Sequence, residues 1–160
     1  MDIVRIALII ACLVFLQSSA VPAIHIGSAR PDLVLCGVVF LALVRGSRSG
    51  TVVGLVAGFL SDLYSPPALG TQALSKSVVG YSLGLAHEGL YRERRGTQML
   101  LVFLAALLQG GVLLVLSLIQ GLPGGIVSHL GRILGGAFYT ALLCPFLFAI
   151  FERVLPGHAG

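Results

Sequence analysis

Apolar stretches alternate with short gaps along the chain, and most of the charges fall in those gaps. The pattern predicts helices that cross a membrane over roughly 3–21, 31–45, 49–64, 72–87, 97–120 and 126–151. Pro31 suits the first turn of the second helix, where a missing N–H costs nothing, and Asp32 suits its positive end. The uniformly apolar run from Leu33 to Val44 would be only about 18 Å long as a helix, short of a hydrocarbon core of about 30 Å, so its flanks must help it cross. A re-entrant hairpin made of the second and third runs competes with two short spans. It would carry Arg45 and Arg48 to mid-membrane at about 2.5–3.5 kcal/mol each, so two spans joined through these arginines are expected. Pro145 should kink the last helix, because it removes one backbone hydrogen bond. The first stretch also has the small residues Ser18-Ser19-Ala20 of a cleavage site, but a lone Arg5 with acidic Asp2 beside it is a poor signal-peptide start; a retained span is the reading adopted.

Composition narrows the class. Hydrophobic residues make up 57% of the chain and charged residues 10%, against about 25% charged in soluble domains, and mean hydropathy is +1.02. The expected fold is therefore an all-α integral membrane bundle of six transmembrane helices, in a single domain over residues 1–160. The net charge of +4 serves orientation rather than nucleic-acid binding, because the basic residues lie between spans. Of 10 basic residues, Arg5, Arg45, Arg48, Arg92, Arg94, Arg95 and Arg153 fall on one side of a six-span model, against Arg30, Lys76 and Arg132 on the other. The positive-inside rule then puts both termini in the cytoplasm. Cys12, Cys36 and Cys144 lie in separate apolar runs without metal-ligand spacing and read as packing residues.

The segment from Gly54 to Gly84 organises the rest. An apolar helix with Gly50, Gly54 and Gly58 on one face stops at Asp62, the chain turns at Pro66-Pro67, and Gly70 begins a second helix with Lys76, Gly80, Tyr81 and Gly84. Glycines spaced by four let another backbone approach closely. Asp62 and Lys76, at facing ends of antiparallel helices, are expected to form an ion pair, with interfacial placement of each as the plain alternative. His129 and Arg132 share a face and suit an anionic lipid or an interfacial anchor.

Gly58, Asp62, Pro67, Gly70, Ala73, Gly80 and Tyr81, with Arg30-Pro31-Asp32-Leu33 ahead of the second span, resemble the signature of the MreD rod-shape-determining membrane protein family. The chain departs from that pattern at Ser65-Pro66-Pro67-Ala68-Leu69-Gly70 and Thr71-Gln72-Ala73, where the family more often has a tighter turn and Leu-Asn-Ala. The resemblance implies a non-catalytic scaffold of the bacterial cell-elongation complex in the cytoplasmic membrane. Its implied partners are a single-span MreC-like protein, MreB filaments and a RodA-type glycosyltransferase with its transpeptidase, alongside membrane lipid and without nucleic acid or a cofactor. No acid–base pair, phosphate-binding glycine loop or zinc spacing suggests an enzyme. The small-residue faces, Gly50, Gly54 and Gly58 and Gly80 and Gly84, are expected to hold the partner, with some used in internal packing. The alternative is the substrate-binding S component of an energy-coupling-factor vitamin transporter, whose architecture the family is thought to share. That function needs polar groups converging on a cavity, and Gln17, Gln109, Ser117 and Thr140 look scattered.

Overall fold

The computed structural model describes residues 2–19, 30–64, 69–86, 95–121 and 126–154, and these form helices without strands. They are α1 (Asp2–Ser19), α2 (Leu33–Tyr64), α3 (Thr71–Leu85), α4 (Arg95–Ile119) and α5 (Ile126–Val154). Among the described residues five helices stand where six spans were expected, and three of them, α2, α4 and His129–Val154 of α5, are long and apolar enough to cross a membrane.

The difference lies in α2. The predicted second and third spans are its two arms, and the expected loop at Arg45–Arg48 is replaced by one residue, Gly46, with φ 81° and ψ −176°. That conformation is essentially restricted to glycine. A Cβ built on Gly50 would touch the Ala42 side chain, a pair that a straight helix would hold about 12 Å apart. The chain therefore folds back at Gly46 and lays one arm on the other.

The first arm is the centre of the molecule, with every residue from Leu33 to Leu43 buried. A helix that is apolar on all sides has no polar face to turn to water and suits a central position. The other helices surround it. Ile6, Ile10, Leu13 and Val14 of α1 join its core, as do Leu101, Val102 and Ala105 of α4. From α5, Phe148 and Phe151 set their rings 5.2 and 5.4 Å from that of Phe40. α5 runs on unbroken through Pro145.

These contacts fix the vertical register. Asp32 lies beside Thr140, Gln109 and Lys76, Leu33 beside Gln17, and Gln98 beside Cys144. Counting about 1.5 Å per residue away from that level, Arg5 of α1, Arg45 and Arg48 at the α2 fold and Arg153 of α5 come to one end of the bundle, about 20 Å off, and Arg95 of α4 lies toward the same end, about 10 Å off when counted from the Gln98–Cys144 contact. α1, both arms of α2 and α3 have an end near the Asp32 level, whereas α4 and α5 continue beyond it.

Candidate functional site

Asp62 is the last buried polar residue of α2, and its carboxylate closes the start of α3. Oδ2 accepts from the Gly70 and Ala73 amides at 2.9 and 3.1 Å, and Oδ1 from the Gln72 amide at 3.0 Å. The first amides of a helix have no partner within it, and a carboxylate satisfies both their hydrogen bonds and the positive end of the dipole. Gly70 precedes the helix in the left-handed region at φ 95°, with open space around it, so glycine is there for its backbone rather than its size. Pro67 lies outside the described residues, and Tyr81 is exposed on α3.

The expected Asp62–Lys76 ion pair does not form. Asp62's oxygens are taken by the amides of Gly70, Gln72 and Ala73, and Lys76 turns instead to Asp32. Its Nζ donates to Asp32 Oδ2 at 2.6 Å and to Gln72 Oε1 at 2.8 Å. Lys76 is 1% exposed, so these groups replace the water that an ammonium would otherwise need.

Around that pair a network assembles from all five helices. Gln109 Nε2 donates to Asp32 Oδ2 at 2.8 Å. Asp32 Oδ1 accepts from the Leu35 amide at 2.8 Å, capping α2, and the Asp32 amide donates to Thr140 Oγ1 at 3.0 Å. Gln17 clamps the same turn, donating to the Pro31 carbonyl at 3.0 Å and accepting from the Leu33 amide at 2.8 Å. Gln109 Oε1 is buried and accepts no hydrogen bond among the described residues. Of the polar residues that look scattered in the sequence, Gln17, Gln109 and Thr140 thus converge, while Ser117 bonds to the carbonyl of Leu114 in its own helix.

The glycines form a second feature. A Cβ at Gly54 would strike the Lys76 carbonyl, one at Gly58 the Gln72 carbonyl and the Ala73 backbone, and one at Gly84 Ser47 and Gly46. Gly50 and Gly80 face each other directly. All five line a backbone-to-backbone seam between α3 and the second arm of α2, which corrects the expectation that some remain for a partner. This seam carries Lys76 to the Asp32 side of the bundle.

From the sequence Asp32 has only a dipole role, and Gln72 stands out only as a departure from the family pattern. A usable signal was the scarcity of acids: of six acidic residues, only Asp32 and Asp62 border the interior of an apolar run, so a buried lysine had two candidates rather than one.

The MreD family model, described as rod shape-determining protein MreD, matches residues 2–154. The chain belongs to the MreD family. It is accordingly a rod-shape-determining membrane protein, in a structural family not known for enzymes. No curated protein and no solved structure matches it, so the likeness to S components gains no support from comparison. Among the described residues no group of three His, Cys, Asp or Glu is placed to hold a metal ion.

Proposed function

We propose that this MreD-family chain is a non-catalytic scaffold of the bacterial cytoplasmic membrane. It holds an MreC-like single-span protein and couples it to MreB filaments and to a RodA-type glycosyltransferase with its transpeptidase. The family match over residues 2–154 carries this reading. The Asp32–Lys76 network agrees with it, because its charges answer one another and its hydrogen bonds brace helices rather than present reacting groups. Counting the two arms of α2 separately gives six crossings, with the basic end in the cytoplasm. The partner docks on a surface other than the glycine seam, which is occupied internally.

Co-purification from a rod-shaped host lacking its own copy tests the proposal. The wild-type chain should restore rod shape and bring down the MreC-like protein. If the folded chain restores neither shape nor partner binding, the scaffold reading is abandoned.

A further inference from the structure

A cleft of about 540 Å³ opens beside the Asp32 network, lined by Gln17, Arg30, Tyr64, Gln72 and Lys76 among others. This is the size range of small-molecule sites, about 300–1,000 Å³. The hydrogen-bonding groups on its wall fall into two sets. Those that build the fold are already engaged: Gln17 at both ends of its amide, Asp32 at both oxygens, and Ser18 and Ser61 with backbone carbonyls. The α3 amides nearby are closed by Asp62.

Each member of the second set keeps at least one donor unused among the described residues. The Arg30 guanidinium has no acceptor, nor does the Tyr64 hydroxyl at the rim. Gln72 uses only its Oε1, toward Lys76 and Gln109, which leaves its Nε2 open. Lys76 donates to two acceptors and an ammonium has three protons. Asp32 is balanced by Lys76, so the wall keeps the net positive charge of Arg30. Donors without acceptors, arriving from the segment before α2, the end of α2 and α3, complement an oxyanion with oxygens pointing in several directions.

We propose that this cleft binds a phosphate group, either as the headgroup of an anionic lipid or as a soluble phosphate, with Arg30, Tyr64 and Gln72 as its contacts. The cavity is larger than a bare phosphate, so a group attached to the phosphate is accommodated too. The site does not rest on the partner reading, since it is argued from the side-chain donors of the cleft alone.

The full chain in a phosphate-free maltoside detergent tests this, with phosphatidylglycerol added for one arm and inorganic phosphate for the other. Native mass spectrometry reads retained lipid, and thermal unfolding reads phosphate binding. Arg30→Gln should weaken binding about tenfold or more, the loss of a charge-assisted hydrogen bond. The near-isosteric Tyr64→Phe, which leaves packing intact, should weaken it about fivefold. Arg48→Gln, at the exposed α2 fold, should change nothing. Retention of phosphatidylglycerol without a phosphate response assigns a lipid headgroup, and a phosphate response assigns a soluble ligand. No binding of either probe, binding untouched by both cleft variants, or an equal loss in Arg48→Gln overturns the proposal.

Discussion

Lys76 is 1% exposed, and among the described residues its ammonium is answered by Asp32 and Gln72. Removing one partner of a buried ion pair leaves the other charge uncompensated, at about 3–5 kcal/mol. Lys76→Met should therefore lower unfolding stability in detergent by about that amount, and Asp32→Asn/Lys76→Met together should cost less than the two single changes added. Gln109 gives the opposite case. It donates to the Asp32 carboxylate, a bond worth about 1.5–3 kcal/mol, and at a long 3.4 Å to Gln72 Oε1, but also buries an oxygen without a donor among the described residues, at about 1–3 kcal/mol. Gln109→Met removes both and should shift stability by less than about 1 kcal/mol in the same measurement. At this scale the sequence marks Lys76 as exceptional, a lone lysine inside an apolar helix. It does not reveal the partner, because the fold at Gly46 returns Asp62 to the level of Asp32. The choice between the two carboxylates is settled by backbone amides that no residue pattern displays.

The apolar runs foretell the helices within a few residues, since burial periodicity and turn residues are local properties. The reversal inside α2 is less legible: Arg45-Gly46-Ser47-Arg48 reads as a polar loop, whereas a single glycine in a restricted conformation does the turning. Gly46→Ala should cost about 1–3 kcal/mol from backbone strain, with the added burden that Gly46 lies against Gly84. Gly70→Ala, with a positive φ but free space around it, should cost only about 1–2 kcal/mol. Leucine at Gly54 or Gly80 meets backbone on the facing element and has no rotamer to escape into. Each variant should lose the monodisperse folded species in size-exclusion chromatography. Loss of partner binding in such variants would then report unfolding and not a docking face.

For the molecule as a whole, the register of the contacts adds something that counting charges along the sequence does not contain. Five arginines from four helices, Arg5, Arg45, Arg48, Arg95 and Arg153, come to the same end because α2 folds back there, α1 and α4 run antiparallel to its first arm, and α5 runs parallel to it. A fully crossing α2 without the fold would send Asp62 far beyond Asp32 and separate α3 from the network. The hydrogen bonds from Gly70, Gln72 and Ala73 to Asp62, together with Lys76 to Asp32, hold both ends of α2 at one level. A membrane then sees an asymmetric object, with a basic rim about 20 Å from a polar network that stands nearer the opposite interface. The chain should accordingly insert with the rim inside. A reporter fused near Glu93 is expected to behave as cytoplasmic, and one near Pro67 as external. Replacing Arg45 and Arg48 with glutamine should weaken that bias without lowering stability by more than about 1 kcal/mol, since rim charges contribute little to packing. A reversed reporter pattern in the wild-type chain would rule out this orientation, while an external signal at both sites would rule out α3, which lies between them, as a crossing.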